Sequence, residues 1–257
     1  MGSDFTGCRF SVRRDSESNR SVGYLEIGIV EKVDNKKIIE SFSSGRCPIC
    51  ALLRQDEFDG LCHWVGQSDD KDKESEERKR LLASGGFCNY HFWEFQGIST
   101  HYGSASIGAE LIERLIKVLQ THGFEDLVDA FKERKEDFKA WSLEGYTHCL
   151  LCRDIKKKEK RYLKELTVIL QDDSYKAKYS ESYGLCIPHF IKIVDYIEDG
   201  SLIKFLFETE LAQMGKIKAN AINLIQKKEP PFCWQQTEDE KKSWFRAIEK
   251  IVGRSGT

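Results

Sequence analysis

The chain has 257 residues, 42 acidic and 40 basic side chains, 40% hydrophobic residues, nine cysteines and four prolines. That length suffices for one large or two small domains with a buried core, and a net charge of −2 provides no global basic field for nucleic acid or an anionic membrane. No stretch approaches the roughly 18 uninterrupted apolar residues of a membrane helix and the N-terminus has no apolar signal segment, so the expectation is a cytoplasmic protein without a membrane partner, whose cysteines serve metal ligation or thiol chemistry rather than disulfides.

Residues 1–33 are expected to form a flexible tail, because Ser, Arg, Asp and Asn dominate its first part. Its short apolar run from Tyr24 to Val30 could be a strand. Asp34 can cap a helix that places Ile38, Ile39 and Phe42 on one side, and Ser-Ser-Gly then ends it. Pro48 suits a first helical turn, and Leu52, Phe58, Leu61, Cys62 and Val65 continue as one apolar side, although Gly60 weakens that helix. From Asp69 to Arg80 every position except Ser75 is charged, which reads as a solvated face or loop.

Beyond Gly86 the pattern is helical almost to the end. Ile107, Leu111, Leu115 and Leu119 recur at four-residue spacing, and Leu127, Phe131, Phe138 and Trp141 form a second stripe. Further helices are predicted over Leu151–Ile169 and from about Ser201 to Gln226, before Pro230-Pro231 interrupts the chain. Thr237 and Glu240 form a capping-box pattern, after which Trp244, Ile248 and Ile251 line one face as far as Gly253.

One cysteine pattern occurs twice, about one hundred residues apart. The first copy reads CPIC, with Cys47 and Cys50, then GFCNYHF, with Cys88 and His91. The second reads CLLC, with Cys149 and Cys152, then GLCIPHF, with Cys186 and His189. Scattering nine cysteines and six histidines over 257 positions gives about 0.3 CxxC pairs and about 0.2 CxxH pairs by chance. Two of each, in the same order, mark a repeat with metal-ligand spacing. Thiolates and imidazole suit zinc or iron, and a two-residue gap lets both side chains of a pair reach one ion. Two pairs complete a closed Cys3His tetrahedron. Each pair opens a predicted helix, whose N-terminus favours thiolate, and the glycines before the third cysteines, Gly86 and Gly184, provide the tight turns.

The expected fold is therefore all-α: two tandem pseudo-repeats of amphipathic helices, each clamped by a Cys3His site, with one short N-terminal strand at most. Repeat 1 is placed at 34–140, repeat 2 at 141–229, and a linker with a terminal helix at 230–257. Whether a CxxC closes its site with its own repeat's CxxH or the other's is left open by the spacing. The expected cofactors are two Zn2+ ions, with iron–sulfur clusters as the alternative. A redox dithiol reading fares worse, since the βαβ context is missing and it leaves the CxxH pairs unexplained.

Cys8, Cys62 and Cys233 have no partner at ligand spacing, and His101, His122 and His148 form no catalytic pair. Phe87, Tyr90, Phe92, Trp93 and Phe95 are expected to pack around the metal. No phosphate loop, nucleophile elbow or HExxH occurs, which leans away from an enzyme. A protein partner or a homodimer is expected; nucleic acid would have to bind through the basic cluster from Lys156 to Arg161.

At CPICALL (47–53), GFCNYHFW (86–93) and the helix that follows, the chain resembles an uncharacterised prokaryotic family in which CPxC begins a helix and GFCxxH comes some tens of residues later. The second repeat echoes it more loosely, with Leu150 in place of proline and Pro188 inside the CxxH. The resemblance implies no activity.

Overall fold

The computed structural model describes residues 35–69, 75–121 and 149–254. The run Tyr24–Val30, the stripe Leu127–Trp141, Cys8, His122 and His148 lie outside the described residues. Within them the chain forms α1 (Asn35–Ser41), α2 (Pro48–Asp69), α3 (Glu76–Ala83), α4 (Asn89–Ile98), α5 (His101–Thr121), α6 (Leu150–Ile169), α7 (Asp173–Glu181), α8 (Ile187–Val194), α9 (Gly200–Gln226) and α10 (Glu238–Val252). Short 3-10 turns follow α1 and precede α10, and no strand occurs among the described residues. The all-α expectation holds there.

Local chemistry explains several helix ends. Ser75, Asp172 and Asp199 cap α3, α7 and α9 by accepting backbone N–H groups with their side chains. Thr237 and Glu240 make both bonds of the capping box at the start of α10. Gly45 ends the first helical stretch with φ +69°, where a side chain would be strained.

Two apolar cores form among the described residues. The first gathers Ile38, Ile49, Leu53, Leu163, Leu166, Tyr179, Leu185, Ile193 and Leu206. The second gathers Leu61, Val65, Leu81, Phe87, Phe95, Ile107, Leu111 and Leu151. Helix α2 belongs to both, its first half in one and its second half in the other. It runs antiparallel to α6: Asp56 meets Lys158 and Tyr162, while Gly60 meets Leu151 near the opposite end. A Cβ on Gly60 would stand 2.6 Å from Leu151 Cδ1, so the glycine that weakens the helix on paper permits this close approach.

Two charged or amphipathic segments behave differently from their simplest reading. Arg78, within the charged stretch, is fully buried: its guanidinium binds Glu110 at 2.6 and 3.2 Å and Ser106 Oγ at 2.7 Å. A buried arginine is tolerable only with such partners. Helix α10 turns its polar side inward, with Glu240, Ser243 and Lys250 buried, whereas Trp244, Ile248 and Ile251 face solvent. Lys250 pairs with buried Glu210, whose carboxylate also accepts Tyr179 OH at 2.8 Å and Leu185 N–H at 2.7 Å. The inward polar groups thus satisfy one another.

Candidate metal centres

All eight cysteines and histidines of the repeated motif converge into two groups, and the pairing is crosswise. The first pocket joins Cys47 and Cys50 to Cys186 and His189; the second joins Cys149 and Cys152 to Cys88 and His91. The structure so decides the alternative that spacing left open: each CxxC closes with the CxxH of the other repeat. Within each group the ligand atoms lie within 4.8 Å of one another.

The helices place these atoms at their N-terminal ends. Cys88, Cys149 and Cys186 are the N-cap residues of α4, α6 and α8, and Cys47 immediately precedes α2. One helical turn later, Cys50, His91, Cys152 and His189 return to the same side. Gly86 and Gly184 lead into the third cysteines with φ of +87° and +73°, as the repeated glycines predicted.

In the first pocket His189 Nδ1 stands 3.4, 3.4 and 3.1 Å from the sulfurs of Cys47, Cys50 and Cys186, and the Cys50 and Cys186 sulfurs are 3.7 Å apart. In the second, His91 Nδ1 lies 3.3, 3.4 and 3.2 Å from Cys88, Cys149 and Cys152, with 3.6 Å between the Cys88 and Cys152 sulfurs. Seven of the eight residues are buried and Cys152 is partly so.

The electrostatics favour positive charge among the sulfurs. Burial opposes an imidazolium at His91, but hydrogen bonds with Cys149 and Glu57 outweigh it and push the ring up to about 10. Burial is likewise overcome at His189 by Cys186, Cys50 and Glu159, pushing that ring up to about 11. The bond from Cys152 is the largest influence drawing Cys149 down to about 3. Hydrogen bonds from Cys47 and Cys50 likewise draw Cys186 far below the usual thiol range.

A family model matches residues 31–257. The chain belongs to DUF6062, a family of unknown function. The match takes in both repeats, beyond the segment around 46–120 that carries the sequence resemblance. No curated protein and no solved structure matches the chain.

In this DUF6062 member the motif reading missed two carboxylates. His91 Nε2 is 2.8 Å from Glu57 Oε1, and His189 Nε2 is 3.0 Å from Glu159 Oε1. A carboxylate there accepts the Nε2 proton and orients the ring so that Nδ1 faces the sulfurs, where an ion would take the place of the Nδ1 proton. Burial works against the charge of both acids, yet His189 and Lys192 hold Glu159 down at about 2, and His91 and Arg254 hold Glu57 below its ordinary value. The sequence carries a signal for them: each stands seven residues after the second cysteine of a CxxC.

The remaining candidates stay apart from these pockets. Cys62 and Cys233 belong to neither group, and His63 pairs with Glu77 at 3.1 Å. Phe87 and Phe95 are buried as expected, but Trp93 is 68% exposed. The basic cluster is partly consumed inside the fold, since Lys158 binds Asp56 at 3.1 Å and Asp154 at 3.6 Å, and Arg161 lies over the Tyr162 ring. No described helix is long and apolar enough to cross a membrane.

Proposed function

We propose that the protein holds two structural Zn2+ ions, one per Cys3His pocket, and that the metal-clamped helices serve as an interaction scaffold. The observation that carries this reading is the sulfur spacing. Two thiolates bound at about 2.3 Å to one tetrahedral ion stand about 3.8 Å apart, close to the 3.6 and 3.7 Å found here. An iron–sulfur cluster spreads its four ligands over two or more irons, so that ligands on different irons stand farther apart than the 4.8 Å within which all four donor atoms of each pocket fall. Cys47, Cys50, Cys186 and His189 would hold one ion and Cys88, His91, Cys149 and Cys152 the other. Four protein donors leave no open position for substrate or water, which favours a structural role over catalysis.

The scaffold role is supported by the outward face of α10, where Trp244, Ile248 and Ile251 are 59, 52 and 65% exposed. Such a face on a folded helix suits a protein partner, and a second copy of the chain is the first one to test. Sedimentation of the wild type against Ile248→Glu makes that test; an unchanged monomer in both would reject self-association.

Strong chelation tests the metal reading. Structural ions carry folding free energy, so removing them is expected to lower helicity or solubility, with recovery on adding zinc. A protein indifferent to chelators, or one purified anaerobically with visible absorption that bleaches on reduction, would contradict the zinc assignment.

A further inference from the structure

Each pocket is finished by the helix that begins the other. Cys47 and Cys50 sit at the start of α2, and seven residues along the same helix Glu57 holds His91 of the second pocket. Cys149 and Cys152 sit at the start of α6, and seven residues along it Glu159 holds His189 of the first. Seven residues are about 10 Å of helical rise, so one rigid two-turn element spans from a thiol pair to the opposite histidine. Asp56 ties the two helices together through Lys158 at 3.1 Å and Tyr162 OH at 2.6 Å.

The end of the chain's last helix makes a third link. Gly253, at φ +80° and ψ −157°, lies where a Cβ would be 3.5 Å from the Cys186 sulfur and 3.9 Å from that of Cys50. The next residue, Arg254, pairs with Glu57. Adjacent backbone positions therefore touch the first pocket and brace the histidine of the second. Only glycine adopts that backbone region readily.

From this geometry we infer that the two pockets are thermodynamically coupled: filling one raises the affinity of the other. The inference rests on the metal-binding reading above. An ion in the first pocket fixes the start of α2 and His189, and through Glu159 it fixes α6, which carries two ligands of the second. The conformational freedom of the α2–α6 pair is lost on the first binding event and need not be lost again. Linkage requires the coupling to be reciprocal, by the same factor in each direction.

The test is competition titration of zinc against a chromophoric chelator. Cys186→Ser removes a ligand of the first pocket and touches nothing in the second; Cys88→Ser does the reverse. Each is expected to bind one zinc about as tightly as the wild type binds its first ion and at least about tenfold more weakly than the wild type binds its second, the two losses being similar. Because a ligand variant can misfold, Glu57→Gln and Arg254→Met provide arms that keep all eight ligands. Both are expected to retain two zinc ions with both affinities lowered, including that of the first pocket, which neither side chain ligates. A lone zinc held by Cys186→Ser and Cys88→Ser as tightly as the wild type holds its second, or loss confined to the second pocket in Glu57→Gln, would overturn the coupling and leave the metal reading standing. A wild type that binds no zinc would overturn both.

Discussion

Gly184→Ala tests how the structure aims Cys186. At φ +73° an alanine costs about 1–2 kcal/mol in backbone strain alone. Its Cβ would also stand 2.6 and 2.8 Å from the two carboxylate oxygens of Glu210, closer than real Cβ contacts allow. Glu210 has little room to yield, because Tyr179, Leu185 N–H and Lys250 all bind it in a buried site. Disturbing those bonds adds about 1–3 kcal/mol, for a total of about 2–5 kcal/mol. Gly45→Ala is the control: φ is +69°, but nothing lies within 4 Å of the new Cβ, so only the strain of about 1–2 kcal/mol applies. Urea unfolding of both metal-loaded variants measures the difference through the midpoint at constant m. Equal losses, within about 0.5 kcal/mol, would refute the claim that Glu210 positions the turn into Cys186.

Other outcomes follow from the same contacts. Lys250→Met leaves the buried Glu210 carboxylate without its cation and is expected to cost about 3–5 kcal/mol in urea unfolding, part of which Lys250→Met combined with Glu210→Gln restores; a loss under about 1 kcal/mol would contradict the buried pairing. Burial, reinforced by the hydrogen bond to Asp56, pushes the Tyr162 phenol up to about 12. Its folded form keeps the proton that the unfolded chain releases near pH 10, so stability is level below about 10 and falls between about 10 and 12; Tyr162→Phe should flatten that alkaline decline, and an unchanged profile would count against it. Replacing Cys62 and Cys233 together by serine should leave the metal content unchanged by elemental analysis, and a lost ion would add one of them to a pocket.

Most of what is local was readable from residue order. Cysteine pairs with a two-residue gap, glycines ahead of the third cysteines and the Thr237–Glu240 cap each specify geometry within a single turn, and each appears as expected. The exchange of partners between repeats was not readable, because a CxxH at the start of one helix is chemically equivalent to the CxxH of the other; only the antiparallel packing of α2 on α6 selects. Glu57 and Glu159 sit on otherwise apolar stripes and stand out only when the two repeats are laid over each other. Periodicity also gave α10 an apolar face without saying which way it points. Its direction is set by partners far away in sequence, Glu210 for Lys250 and Glu57 for Arg254. Arg78 is the same case, since its burial depends on Glu110, on another helix.

Each crosswise Cys3His pocket is proposed to hold one zinc ion. Elemental analysis of protein purified without added metal or chelator, combined with a count of alkylatable thiols, tests it most directly. Two zinc ions per chain are expected, with the six cysteines of the pockets protected until the metal is removed. No metal, with all nine cysteines freely reactive, would contradict it.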